Sequence, residues 1–313
     1  MTRHCMISSL GGPRGRSHDS SKSHQENVEG MKSFWHGQLK QVLADRPDLV
    51  VVPEASDRYS SMSLEERHAY YLVRGEQLLE FWRGIATEHR TCVAYSAARQ
   101  LEDGTWRNST QIIGRDGTIL GIYNKNHLVI EETTKSGILC GKDAMVATTD
   151  FGTVGCAICF DLNFEEIRKR YESLQPDVLA FCSMYHGGLM QGYWAYACRT
   201  HFVGCICGDE NTIINPVGEV IARSTNYFNF VSARVNLDCK VCHLDYNWGK
   251  MKAMKDKYGR GVTIFDPGHL GAVLITCEKD DMTIDQMLDE FEIERWDDYI
   301  ARAMKHRAEN TEA

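Results

Sequence analysis

Three polar residues stand where apolar runs stop, and their types are those of a nucleophile, a base and a cation. Cys159 closes the apolar, small-residue run Phe151 to Phe160. Glu54 follows Leu49-Val50-Val51-Val52-Pro53, and Lys125 follows the run Thr118 to Tyr123. A thiol that attacks an amide or nitrile carbon must lose its proton to a base, and it needs positive charge beside the oxyanion that develops. A carboxyl group buried beside a lysine and a thiol can hold that proton at neutral pH, because burial raises its pKa. The lysine then balances the charge of the intermediate. Taken singly, each residue has a plainer reading: Glu54 as a surface acid after a proline, Lys125 as a hairpin lysine, Cys159 as a small buried hydrophobe.

The elements around these residues put all three at strand ends, where sites in helix-covered sheets are built. Phe151 to Phe160 is too short for a stable helix and reads as a strand. Asp161-Leu162-Asn163-Phe164-Glu165-Glu166 reads as a helix start, with a capping side chain and acids in the first turn. Cys159 therefore falls where free backbone N–H groups and a helix dipole lower a thiol pKa and can hold an oxyanion. Leu49 to Val52 is apolar throughout, as in a strand buried on both faces. Asn27 to Ala44 carries a helical pattern, and Ser63 to Glu88 reads as one long helical region opened by a Ser63/Glu66 capping box. Trp106 to Ile113 and Thr118 to Tyr123 form a hairpin around Arg115-Asp116-Gly117. Strands and helices alternate, but hairpins interrupt them. That predicts mixed sheets covered by helices, not a simple doubly wound sheet.

The 313 residues are 43% hydrophobic and 25% charged, with a formal net charge of −8. That composition suits a globular protein of one or two domains. No Lys/Arg run marks a nucleic-acid patch, and no apolar stretch is long enough to cross a membrane. The N-terminal apolar run is too short for a secretory signal, so a cytoplasmic location is expected. The twelve cysteines lie largely in apolar strand-like runs and read as reduced thiols. Cys156-x-x-Cys159 with Cys239-x-x-Cys242 resembles a zinc-ribbon count, but Cys156 and Cys159 sit three apart on a strand and face opposite ways. No metal or other cofactor is expected. The texture changes after Asp245. Residues 1–275 read as one domain and 276–313 as a helical arm, with Ile284 to Met304 a single helix.

Three blocks resemble, in order and spacing, the signatures of the nitrilase (carbon–nitrogen hydrolase) superfamily: Val51-Val52-Pro53-Glu54, Tyr123-Asn124-Lys125-Asn126-His127-Leu128 and Gly155-Cys156-Ala157-Ile158-Cys159-Phe160-Asp161. Asn108-Ser109 and Asn215-Pro216-Val217-Gly218-Glu219-Val220 support them, and the likeness runs from about residue 5 to 238. It implies a four-layer αββα sandwich and a Glu–Lys–Cys triad. Cys159 would be the nucleophile, Glu54 the general base, and Lys125, with the Phe160 backbone N–H, the stabiliser of the tetrahedral intermediate. Glu132, or alternatively Glu131, fits a second active-site acid. Cys159-Phe160-Asp161 leans towards amidases and carbamoylases; nitrilases tend to show Cys-Trp-Glu. Ser8-Ser9 and Arg199-Thr200-His201 depart from the common pattern. Tyr185 and His186, after the next strand, either select a substrate by hydrogen bonding or belong to an ordinary loop, and His127 is expected to buttress Lys125. The resemblance implies hydrolysis of a small amide or N-carbamoyl compound by a homo-oligomer whose C-terminal arm reaches a neighbour. Alternatives are nitrile hydrolysis, acyl transfer to an amine, and a catalytically silent binding or assembly module.

Overall fold

Apolar runs buried on both faces become parallel strands, and the computed structural model, which describes residues 3–13 and 15–312, builds two six-stranded sheets from them. The elements follow in chain order as β1 (His4–Leu10), α1 (His24–Leu39), β2 (Leu49–Val51), α2 (Leu64–Arg74), α3 (Gln77–His89), β3 (Cys92–Gln100), β4 (Trp106–Ile113), β5 (Ile119–Asn124) and α4 (Ile130–Thr134). The second half continues with β6 (Val146–Thr148), β7 (Thr153–Ile158), α5 (Glu165–Leu174), β8 (Val178–Ser183), α6 (Leu189–Cys198), β9 (His201–Ile206), β10 (Thr212–Ile214), β11 (Val220–Arg223) and β12 (Phe230–Asn236). The first sheet runs β12-β1-β2-β3-β4-β5 and the second β11-β10-β9-β8-β7-β6. In each, a parallel trio (β1-β2-β3 or β7-β8-β9) is extended by antiparallel partners. This is the expected αββα architecture.

Each sheet turns one face to helices and one to the other sheet. Trp35 of α1 and Trp82 of α3 pack with Val50, Val93 and Tyr95 over the first sheet. Tyr171 of α5 meets Trp194 of α6, and its hydroxyl donates to the carbonyl of Cys156 in β7. Between the sheets, Ser9 Oγ donates to the Gly204 carbonyl at 3.1 Å and Cys205 Sγ to the Val51 carbonyl at 3.2 Å. These buried polar contacts satisfy groups that could not reach water and pin the facing strands in one register.

Two helices differ from the sequence pattern. Ser63 caps α2 as expected, with Glu66 completing the box, but the region to Glu88 is broken at Gly75, whose φ of 44° and ψ of −124° end α2 before α3 begins. Glycine is the residue that adopts such a backbone without steric cost. The segment 284–304 is likewise two helices. Between β7 and α5, whose run Glu165–Leu174 reads as helical in the sequence too, lies a short 3-10 turn over Cys159–Asn163.

Residues 5–234 form one contact unit, and residues 3–4 with 235–312 form another. The division expected at 275/276 is therefore not where the contacts separate the chain. The second unit has its own antiparallel sheet, made of β13 (Cys239–His243), β14 (Val262–Phe265) and β15 (Ala272–Cys277) in the order β13-β15-β14. The helices α7 (Trp248–Tyr258), α8 (Ile284–Glu290) and α9 (Trp296–Glu309) accompany it. Its core, including Met254, Val273, Ile275, Met287 and Leu288, needs both sheet and helices to close, so residues before 276 belong with those after. α9 buries none of its residues fully; Tyr299 stacks on His243 of β13 at 3.5 Å. Among the described residues, no helix is long and apolar enough to cross a membrane.

Candidate active site

The three strand-end residues converge. Glu54 lies just past β2, where the pairing of Val52 N–H with the Ala94 carbonyl carries the chain beyond the strand. Lys125 follows β5; its N–H donates to the Asn108 carbonyl at 2.8 Å and its own carbonyl accepts from Gly141 at 2.7 Å. A Cβ at Gly141 would stand 2.2 Å from the Asn124 carbonyl oxygen, so only glycine lets this loop approach the end of β5 so closely. Glu54 and Lys125 are buried, and Lys125 Nζ donates to Glu54 Oε1 at 2.8 Å and to Glu132 Oε2 at 2.7 Å. Asn108 Nδ2 donates to the same two carboxylates, at 2.8 Å to Glu54 and 2.9 Å to Glu132. That double donation fixes the orientation of its amide. Glu132 reaches Lys125 from the first turn of α4, where it also accepts from Val129 N–H at 3.0 Å. Glu131, the alternative acid, is exposed.

Cys159 arrives from the other sheet. It has φ of 49°, the left-handed backbone that favours glycine, and a non-glycine residue there costs about 1–3 kcal/mol. The turn is held by Asp161, which is fully buried. Its carboxylate accepts from Ile158 N–H at 3.0 Å, from Tyr123 hydroxyl at 2.8 Å and from His127 N–H at 2.8 Å. The His127 ring lies 3.2 Å from Asp161, 2.6 Å from Glu166, and stacks on Phe164 at 3.7 Å. His127 thus braces the cysteine turn and not, as its spacing suggested, Lys125. Asp161, read from sequence as a helix cap, is the hub of that turn.

Charge within the cluster is arranged in one direction. Burial disfavours ionisation of Glu54, yet the Lys125 ammonium and hydrogen bonds from Lys125, Cys159 and Asn108 outweigh it and hold the carboxyl below its usual pKa. Burial alone raises the carboxyl, as expected, but the net direction is downward because the compensating ammonium is buried with it. Burial pushes the Cys159 thiol up to about 12; Glu54 adds to the rise and Lys125 opposes it. Lys125 is lowered by burial but raised further by Glu54, Cys159 and Glu132, and stays charged. The resting cluster is a carboxylate, an ammonium and a neutral thiol hydrogen-bonded to the carboxylate.

Glu54, Asn108, Lys125, Glu132 and Cys159 line one cavity of about 530 Å³, together with apolar side chains including Tyr71, Trp106 and Ile138, and with Arg58, Arg67 and Met184. Phe160, Tyr185 and His186 are not among its lining residues. Tyr185 hydroxyl instead accepts from Asn163 Nδ2 at 3.0 Å, and His186 Nδ1 accepts from Gly188 N–H. Met184, one residue earlier, is the member of that loop that faces the cavity, and its backbone N–H bonds the Cys159 sulfur. Asn108, Arg58 and Arg67 carried no sequence signal strong enough to single them out as site residues. No group of three or more His, Cys, Asp or Glu among the described residues has an arrangement that would hold a metal ion.

The family model for carbon-nitrogen hydrolase matches residues 20–226, a span that contains Glu54, Lys125 and Cys159. The chain belongs to the carbon–nitrogen hydrolase family. It is 23% identical over 161 residues to omega-amidase NIT2 of Xenopus tropicalis, covering 44% of this chain and 58% of that protein. It is 20% identical over 224 residues to human deaminated glutathione amidase, covering 61% of this chain and 67% of that one. Among solved structures, Nit3 of Saccharomyces cerevisiae superposes with a TM-score of 0.61 at 15% identity, over 74% of this chain and 90% of its own. The carbon–nitrogen hydrolase fold is thus shared with proteins of very different sequence.

Proposed function

We propose that the protein is an amidase-type carbon–nitrogen hydrolase that works through a thioester on Cys159. The observation that carries this reading is the meeting of Glu54, Lys125 and Cys159, from two sheets, at one cavity. As Cys159 Sγ bonds to the carbonyl carbon, its proton passes to Glu54, which already accepts from it. The oxyanion forms beside the Lys125 ammonium and the backbone N–H of Phe160. Glu54 returns the proton to the departing nitrogen, the C–N bond breaks, and ammonia or an amine leaves. Water then adds to the thioester, again giving a proton to Glu54. The C–S bond breaks and the thiol is restored. Glu132 and Asn108 act by position: they hold the Lys125 ammonium and the Glu54 carboxylate in place.

Relatives named as amidases, together with the Cys159-Phe160-Asp161 signature, favour amides over nitriles. A screen of primary amides, N-carbamoyl amino acids and nitriles for ammonia release tests the reading. Amide turnover that Cys159→Ala abolishes, with an unchanged circular dichroism spectrum, is the expected result. Turnover that survives in that variant overturns the mechanism, and a preference for nitriles overturns the substrate class.

A further inference from the structure

Glu54 sits on a turn whose backbone is strained and whose far side is charged. Ala55, the next residue, has φ of 47°, a left-handed conformation that persists only where the surroundings over-determine it. Several contacts do so. Arg58 N–H donates to the Ala55 carbonyl at 2.9 Å. Ser56 N–H and Ser56 Oγ both donate to the Ser96 carbonyl of β3 at 2.9 Å. The Ser56 carbonyl accepts from Trp35 Nε1 at 2.9 Å and from the Arg16 guanidinium. Asp57 Oδ2 accepts from Arg74 at 2.7 Å and from the Tyr95 hydroxyl at 3.1 Å.

The last of these contacts is a buried ion pair between Asp57 and Arg74. Burial lowers the Arg74 pKa, but Asp57 more than offsets it, and the guanidinium stays charged. Stability does not account for such a pair, because well-packed apolar side chains of similar volume often hold a fold equally well. The surroundings add to the desolvation penalty: among the described residues, Asp57 Oδ1, Arg74 Nε, the Tyr70 hydroxyl and Ser96 Oγ are buried without a hydrogen-bond partner. What the pair supplies beyond apolar packing is direction. The guanidinium donates one N–H to Asp57 and another to the Ala98 carbonyl at 2.7 Å, and it lies 5.1 Å from the centre of the Tyr71 ring. Tyr71 of α2, Ala98 of β3 and Ala55 are three pieces of the cavity wall, whereas neither Asp57 nor Arg74 lines the cavity. Arg74 therefore ties α2 and β3, from behind, to the turn that carries Glu54, and a planar fork fixes the angles of that tie. Lys125 Nζ and Asn108 Nδ2 each meet Glu54 Oε1 at 2.8 Å from the β4–β5 side. A slip of the turn by about 1 Å separates the carboxylate from both, and a misplacement of that size can cost about a hundredfold in rate.

We propose that Asp57 and Arg74 are positioning residues for the general base: the pair holds the Glu54 carboxylate at the Cys159 thiol and the Lys125 ammonium without touching substrate. The inference rests on the amidase reading for what Glu54 does, and the experiment separates the placement of Glu54 from turnover.

The test uses two variants of the full chain. Asp57→Asn/Arg74→Met removes both charges together, so neither is left buried and unpaired. Arg74→Lys keeps the charge beside Asp57 and loses the planar fork. Alkylation of Cys159 by iodoacetamide at pH 7.5, followed by peptide mass spectrometry, reads the thiol without any substrate. The double variant should change the rate at least threefold, in the direction in which Glu54→Gln changes it, and Arg74→Lys should change it in the same direction. In a Glu54→Gln background the same substitutions should leave the rate unchanged, because the group they position is gone. A general loosening of the fold would speed alkylation alike in both backgrounds; that result, or a wild-type rate in both variants, overturns the proposal. A second arm follows the primary amide that the wild type hydrolyses fastest. There kcat should fall at least tenfold in the double variant while KM stays within threefold, and a loss carried by KM alone overturns the proposal. If alkylation behaves as expected and the wild type turns over no amide, the positioning role stands and the hydrolase reading fails alone.

Discussion

Replacing Lys125 by methionine isolates the charge at the centre of the site. Methionine nearly matches the lysine stem, so packing is kept and the ammonium is lost. Two carboxylates, at 2.8 and 2.7 Å from Nζ, lose their shared cation and remain linked only through Asn108 Nδ2. Removing one partner of a buried ion pair costs about 3–5 kcal/mol. The pH dependence follows from the direction of each pKa. In the wild type, Glu54 lies below its ordinary value, so its stabilising effect is complete above the unfolded-state pKa and fades only as pH falls below it. In Lys125→Met, a carboxyl of the facing pair is raised above its unfolded value, so its penalty is present at high pH and fades as it takes up a proton. Each unit of that rise is worth about 1.4 kcal/mol. The stability difference between the two proteins should therefore be about 3–5 kcal/mol at pH 8 and smaller by about 1–2 kcal/mol at pH 5. Urea unfolding of the full chain at both pH values measures it. A difference below about 1 kcal/mol, or one that does not change with pH, would refute the claim that Lys125 is the buried counter-charge of Glu54 and Glu132.

Two further perturbations read other parts of the same electrostatics. Glu54→Gln removes the proposed base and also a charge that raises the Cys159 pKa, while Lys125 remains. Turnover should vanish while alkylation of Cys159 by iodoacetamide, followed by peptide mass spectrometry at pH 7.5, becomes faster than in the wild type; slower alkylation would mean that Glu54 is not what holds the thiol neutral. His201 is buried, and burial lowers its ring to about 4, with Asp177 opposing. Below pH 6.5 the unfolded chain takes a proton the folded one refuses, so stability should fall between pH 6.5 and 4, by about 3 kcal/mol in total. His201→Gln should flatten that slope, and an unchanged slope would assign it to other groups.

The parts of the site that could be read from the sequence are those coded within a few residues. Val154 to Cys159 is apolar and then stops; Leu49 to Val52 does the same before Pro53-Glu54; Lys125 closes a hairpin arm marked by Arg115-Asp116-Gly117. Strand ends of this kind are local properties, and the structure keeps them. The helix of Ser63 to Glu88 was legible as helix but not as two, because a single Gly75 inside a strong periodic pattern does not announce that its φ turns positive. The sheet of β13, β14 and β15 was missed for a different reason. Its strands are four to six residues long and their closing contacts lie tens of residues apart, so no short window carries the pattern. The left-handed backbone of Cys159 and the role of Asp161 were equally hidden: both depend on Tyr123 and His127, more than thirty residues away.

The division of labour between the sheets explains why the charge of Glu54 does not follow from burial alone. Glu54, Asn108, Lys125 and Glu132 come from the strands and strand ends of the first sheet and from α4, which follows it, and their hydrogen bonds close on one another without the cysteine. That half is a finished electrostatic assembly, in which the ammonium is buried together with the acids it compensates. A carboxyl considered alone at a buried strand end is driven towards protonation; the same carboxyl 2.8 Å from Nζ is driven the other way. The second sheet then delivers a thiol to a carboxylate that is already ionised. Cys159 is raised to about 12 while Glu54 is lowered, so in the proposed mechanism proton transfer accompanies attack on the carbonyl instead of preceding it. A substrate that brings its carbonyl carbon to the sulfur supplies the reason for the proton to move. On that proposal the approach of the two sheets, held by Ser9 to Gly204 and Cys205 to Val51, sets the distance between thiol and carboxylate as well as the packing.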